Sequence, residues 1–281
     1  MKLDQRDIRA ALDAASPVHG PACRLALLDE VDSTNRWLQQ NACADVEPTS
    51  EAERGDGPIA HVPGGCGPCA CIAERQSAGR GRRGRDWLSG DDGLTLSVSR
   101  HFARSPLQLG GLSLAVGVAL AAALEQLGAG RLALKWPNDL LWQERKLGGI
   151  LIELVGARQD DCSAITGVGI NYRHSPQLEQ PVASLAEAFD GPPPPRSQLA
   201  GQLIGALLDA FARFEAEGFA PFRDAWAARD LFAGREVNVQ AGHEWRAGRA
   251  LGVAGDGALR IEIDGREERF NAGEVSLRLA P

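Results

Sequence analysis

The stretch Gly79-Arg80-Gly81-Arg82-Arg83-Gly84-Arg85 interleaves four arginines with three glycines. Glycine bares backbone N–H groups and lets a loop close around an anion, while each arginine offers a planar pair of donors to phosphate or carboxylate. The composition suits an anionic ligand. It is not a P-loop, because the order Gly-x-x-x-x-Gly-Lys-Ser/Thr is absent. A solvated loop and an Arg-Gly RNA-binding tail share the composition, but strand-like flanks and an acidic chain count against RNA. A second constellation is Lys135-Trp136-Pro137-Asn138-Asp139, with Lys146-Leu147-Gly148-Gly149 placing Lys146 seven residues beyond Asp139. A hairpin bent at Pro137 and Asn138 would return Lys146 beside Lys135 and Asp139, gathering a cation, a carboxylate and an indole on one wall. An ordinary structural hairpin fits the same spacing.

The charge balance sharpens this. The 281-residue chain has a formal net charge of −7, which argues against a surface built throughout to hold nucleic acid, so any cationic site is local. Of 30 basic residues only Lys2, Lys135 and Lys146 are lysine. An arginine-favouring genome accounts for the ratio but not for two survivors in one short stretch, and an ammonium is a point charge that a planar guanidinium does not replace.

These residues need elements to position them. Leu3 to Ala15 reads as a short helix and Leu25 to Val31 as a strand running into Asp32-Ser33-Thr34-Asn35, four residues suited to a helix N-cap, with a short helix over 36–40. Residues 41–67 are rich in Glu, Gly and Pro without periodicity and read as an insertion. Strands are expected at 69–76, 94–99, 132–136, 140–142, 149–155 and 164–170. Leu109, Leu112, Val116, Leu120, Leu124 and Leu127 mark one face of an amphipathic helix ending at Gly128, and a second helix carries Leu199, Leu203, Leu207, Ala210, Phe211 and Phe214. Strands interrupted by a few helices predict an α+β fold with a mixed sheet. From about Leu231 short strands at 237–239, 245–251, 259–263 and 275–279, divided by Asp256-Gly257 and Asp264-Gly265, predict a small β-barrel. The expected division is 1–230 and 231–281.

Taken together, Glu30–Leu38, Glu74–Leu88, Lys135–Leu154, Gly167–Asn171 and Gly273–Arg278 resemble the biotin–protein ligases. The resemblance implies a class II synthetase-like catalytic domain followed by an SH3-like barrel. It implies biotin and ATP with Mg²⁺ as reactants, biotinyl-AMP as intermediate, and a biotin carboxyl carrier protein of acetyl-CoA carboxylase or a related enzyme as acceptor. By the same resemblance Ser33, Thr34, Asn35 and Gln76 contact biotin, and Arg80, Gly81 and Arg82 contact biotin or its adenylate in a loop that becomes ordered over them. Arg82 and Arg85 face phosphate, Trp87 packs on adenine, and Asn171 lies on the nucleotide side. Lys146 sits between the biotin carboxylate and the α-phosphate, Asp139 is the acidic residue near the acyl centre, and Lys146, Arg82 and Asp139 carry the chemistry.

Competing readings are a lipoate or octanoate ligase, or a non-catalytic nucleotide or RNA binder. Only 32 residues precede Ser33, too few for the DNA-binding domain of ligases that double as repressors, so no operator binding is expected; a homodimer is permitted by analogy alone. The start lacks signal-peptide character and no apolar run reaches the roughly 20 residues of a membrane span, so a cytoplasmic chain off the membrane is the default. The six cysteines read as reduced thiols. Cys66 and Cys69 have redox or half-zinc spacing, but no second ligand pair completes it.

Overall fold

The structure is a computed structural model describing residues 2–42, 67–87, 93–173, 181–241, 244–271 and 275–279. Most of the 41–67 insertion, including Cys66, lies outside the described residues, as do Cys43 and Leu88.

Helix α1 (Gln5–Ala15) starts at Asp4, whose carboxylate accepts from the N–H groups of Arg6 and Asp7 and so satisfies two donors left open at a helix start. Strand β1 (Arg24–Val31) leads into α2 (Thr34–Asn41), and β2 (Cys69–Gln76) returns parallel to β1. Then follow β3 (Leu94–Phe102), α3 (Leu112–Gln126), β4 (Ala133–Lys135), β5 (Asp139–Trp142), β6 (Arg145–Val155) and β7 (Cys162–Ile170). These strands form one mixed sheet in the order β1-β2-β3-β7-β6-β5-β4, antiparallel at every junction after β1–β2.

Helices α1, α3 and α4 (Arg196–Glu217) cover one face of this sheet, and α5 (Arg223–Ala227) packs against α3. Sandwiched in this way, α3 buries Leu112, Leu114, Ala115, Val116, Val118, Leu120, Ala121 and Leu124, nearly all round instead of on the single face expected. The same fact amends the membrane reading: Pro106–Gln126 is long and apolar enough to cross a membrane, but 61% of its most apolar stretch is buried inside the fold. Its apolarity is that of a core helix. On the opposite face α2 sets Leu38 and Ala42 against Cys69, Cys71, Val155 and Ile165, a smaller apolar cluster beside the site. Among the described residues Cys23, Cys69, Cys71 and Cys162 are buried free thiols.

After α5 the chain changes to β8 (Glu236–Ala241), β9 (Glu244–Val253), β10 (Leu259–Ile263), β11 (Arg266–Phe270) and β12 (Val275–Leu279), an antiparallel sheet ordered β11-β10-β9-β8-β12. The expected barrel is not closed: β11 and β12 are the two edges. Strand β11 is not among the expected strands, because four of its five residues are charged. That composition protects an edge from further pairing, and Glu267 and Glu268 bind Arg260 and Arg246 instead. Val237, Val239, Ile261 and Leu277 continue the apolar core of the main sheet into this second one.

Candidate active site

The arginine-glycine segment is a small hairpin instead of a plain loop. Arg80 and Asp86 form an antiparallel bridge, Gly81 N–H donates to Arg85 O at 2.7 Å and Trp87 N–H to Gly79 O at 2.9 Å. At its tip Arg83 (φ 59°) and Gly84 (φ 68°) both adopt left-handed backbone, the pattern of a type I′ turn. A side chain at Gly79 would fall 2.4 Å from Trp87 O, so only glycine lets the two strands of the hairpin meet there.

Below the hairpin lies a floor of neutral polar groups. Ser33, Thr34 and Asn35 are all buried, and Ser33 makes no capping bond with its side chain, so the cap role is not how its hydroxyl is used. Thr34 N–H donates to Gln76 Oε1 at 2.8 Å. Asn35 Nδ2 donates to Glu153 Oε2 at 2.8 Å and to Leu151 O at 3.3 Å, which fixes Asn35 Oδ1 as the acceptor of Ser97 Oγ at 2.6 Å. Since the Ser97 proton goes to Asn35, Thr34 Oγ1 is the donor in its 2.7 Å contact with Ser97.

Strands β5 and β6 place the cation. Their hairpin turns at Gln143 and Glu144, so Lys146 pairs with Leu141 and shares a face with Asp139 two residues away. Lys146 Nζ lies 2.8 Å from Asp139 Oδ1, both side chains about four-fifths buried (22% and 17% exposed). A bulge at Leu147 then sets Gly149, in place of Gly148, opposite Asp139. Gly149 pairs with Gly169, and Trp87 lies across both: a Cβ on Gly169 would stand 2.3 Å from the indole. Lys146 Nζ is 5.7 Å from the centre of that ring. The Lys146 backbone is clamped to the 181–183 segment through its N–H to Pro181 O and its carbonyl from Ala183 N–H. Of the two expected lysines, Lys146 therefore joins Asp139 directly, whereas Lys135 Nζ lies 5.5 Å from the Phe232 ring centre.

All of these meet in one cavity of about 340 Å³, within the range of ligand sites. Its lining includes each residue to which the resemblance gives a site role: Ser33, Thr34, Asn35, Gln76, Arg80, Gly81, Arg82, Arg85, Trp87, Asp139, Lys146 and Asn171. Six basic side chains face two acidic ones, Asp86 and Asp139, making the site cationic within an acidic chain. Burial, with Arg83 and Arg85 close by, pulls the Arg82 guanidinium below its ordinary value against the opposing pull of Asp139. Arg82 also donates to Asn138 Oδ1 at 3.3 Å. Asn171 has a structural task as well, its Nδ2 bonding Lys146 O and Ala183 O. The second sheet supplies Leu277 to the lining and accepts the Trp136 indole N–H at Gly257 O, 3.1 Å away.

Residues 67–171 match the biotin/lipoate A/B protein ligase family and residues 232–278 the biotin protein ligase C-terminal domain. The chain is 37% identical to the bifunctional ligase/repressor BirA of Escherichia coli over 99% of its own length and 79% of that protein's. The chain belongs to the biotin protein ligase family. Another member, the biotin–[acetyl-CoA-carboxylase] ligase of Paracoccus denitrificans, is 32% identical over 76% of this chain and 92% of its own. The biotin protein ligase of Aquifex aeolicus, solved with biotin and ATP, superimposes with a TM-score of 0.71 at 28% identity, covering 92% of this chain and 99% of that one. In this ligase, the sequence alone assigns no role to Ser97 and Glu153, which hold Asn35, or to Val182, which lines the cavity, and Gly149, Gly169 and Leu277, which also line it, stand only within stretches that carry the resemblance. Gly148-Gly149 was noticed only as a motif tail, and the bulge that selects between them has no sequence signature.

Proposed function

We propose that this ligase activates biotin with ATP to biotinyl-AMP and passes the biotinyl group to a lysine of a biotin carboxyl carrier protein, a subunit of acetyl-CoA carboxylase or a related enzyme. The observation that carries this reading is the make-up of this cavity, which brings neutral hydrogen-bonding side chains, Ser33, Thr34, Asn35 and Gln76, together with six basic ones. Biotin complements both, with a neutral ureido ring and an anionic carboxylate tail. Ser33, Thr34, Asn35 and Gln76 receive the ureido donors and acceptor, and Arg80, Gly81 and Arg82 close over the ligand.

A carboxylate oxygen attacks the α-phosphorus and pyrophosphate leaves, so two anions must be brought together. Lys146, held by Asp139, and Arg82 supply positioned charge where it develops, and Arg85 takes a phosphate of the nucleotide. Trp87 offers its face to adenine, and Asn171 keeps its Oδ1 for the nucleotide side. Among the described residues no three His, Cys, Asp or Glu side chains gather to hold a metal. Magnesium would enter with the phosphates of ATP, the usual mode for this ion, and neutralise their charge. In the second half-reaction the acceptor amine attacks the acyl carbon, AMP leaves, and Asp139 orients the incoming ammonium or takes its proton. Covering the mixed anhydride with the hairpin keeps water from it. The division at residues 1–230 and 231–281 is supported by the change from mixed to antiparallel sheet after Asp230.

Exchange of labelled pyrophosphate into ATP tests this: biotin should drive it and lipoate should not. Exchange with lipoate instead would reassign the substrate, and none with either would leave only a nucleotide binder.

A further inference from the structure

Glu153 does not line the cavity, yet it joins two parts that do. Its Oε2 accepts from Asn35 Nδ2 at 2.8 Å, on the polar floor, and its Oε1 is 2.8 Å from Arg80 Nη2, on the hairpin. The carboxylate is 19% exposed and Arg80 48%, so the pair is half sheltered from solvent. Glu153 stands on β6, a strand paired on β7 along its length, so its backbone is fixed while α2 and the hairpin are what it ties together. The floor network ends at this carboxylate: Gln76 binds Thr34, Thr34 binds Ser97, Ser97 binds Asn35, and Asn35 binds Glu153.

We propose that Glu153 is a positioning residue that latches the arginine hairpin to the ligand-contacting floor, so that contacts made at Asn35 and the closure of Arg80 over the site are one coupled event. The latch rests on the biotin-ligase reading for its kinetic consequence, but its structural half stands without it. Glutamine at 153 retains an acceptor for Asn35 and removes the charge that holds Arg80. A partly sheltered charge-assisted bond is worth about tenfold in an equilibrium.

The hairpin carries its own reporter, because trypsin cuts after arginine. In the unliganded full-length chain, Glu153→Gln should raise cleavage after Arg82, Arg83 and Arg85, read by mass spectrometry, about tenfold, with an unchanged Tm. Arg80→Gln, which breaks the pair from the other side, should do the same, and the double variant should add little to either. In biotin-dependent pyrophosphate exchange, Glu153→Gln should raise the KM for biotin about tenfold with kcat within about twofold. Unchanged hairpin cleavage, fully additive effects, or a fall in Tm that accounts for the cleavage would overturn the latch. Absence of exchange in the unsubstituted chain would instead overturn the ligase reading and leave the proteolysis result to judge the latch alone.

Discussion

Replacing Asp139 by asparagine keeps a side chain of the same shape beside Lys146 Nζ and removes the charge and the basic lone pair. Because Lys146 retains its clamped backbone, adenylate formation should fall modestly. Transfer to the acceptor lysine should fall by about a hundredfold or more, the usual range for losing a general base. Single-turnover measurement of the two steps separates these effects, and equal losses in both would mean that Asp139 acts only by holding Lys146. At this scale the sequence was most readable where residue type itself is the chemistry. Lys146, Arg82 and the neutral Ser33-Thr34-Asn35 run stand out because few other side chains do what they do. Ser97 and Glu153 were not readable, since a serine and a glutamate within strands are ordinary until the register shows what faces them.

The hairpin that delivers Lys146 turns through Gln143 (φ 46°) and Glu144 (φ 63°), both in left-handed backbone that disfavours side chains. Each costs about 1–2 kcal/mol relative to a residue at ease there. The Glu144–Arg235 ion pair, with 58% and 43% exposure, returns less than about 1 kcal/mol. Changing Gln143-Glu144 to Asn-Gly, the preferred type I′ pair, should therefore raise the Tm by a few degrees, about 2–4 °C per kcal/mol for chains approaching this size. A differential scanning measurement showing no rise would mean that the turn is not strained. This also explains why elements were unevenly legible. Asp264-Gly265 announced its hairpin by composition and adopts left-handed backbone at both residues. Gln143-Glu144 makes the same kind of turn with residues that announce nothing, so composition points neither to this bend nor to the first four residues of β6. Helix α3 was placed by its leucine spacing, but spacing alone does not reveal that both of its sides are covered.

Across the whole molecule, distant elements are tied at a few points. Glu215 at the end of α4 accepts from Arg100 Nη2 at 2.7 Å and from Ala103 N–H at 3.0 Å, fixing the helix to the end of β3. Burial pushes the Glu215 carboxyl up, but the bonds from Arg100 and Ala103 outweigh it and hold the group below its ordinary range. A carboxylate depressed in the folded state stabilises the fold at pH above its unfolded pKa, and that contribution is lost as pH falls through the folded value. Glu215→Gln should then cost about 1.5–3 kcal/mol in urea unfolding near neutral pH, with the difference shrinking in acid; a cost independent of pH would show that packing, not charge, is at work. The junction of the two sheets is closer still. Gly257, against Gly111, would place a Cβ 2.5 Å from backbone, while Leu277 reaches the cavity. That junction joins residues more than a hundred positions apart, which local patterns do not report, and it makes the second sheet part of the site.

The account as a whole rests on biotin reaching a protein lysine. Incubating the full chain with ATP, magnesium, biotin and a biotin carboxyl carrier domain, and weighing the carrier by intact-protein mass spectrometry, reads that directly. The predicted result is a gain of one biotinyl group on a single lysine, abolished when Lys146 is changed to glutamine. A carrier of unchanged mass, or one that gains a lipoyl group when lipoate is offered and nothing from biotin, would contradict it.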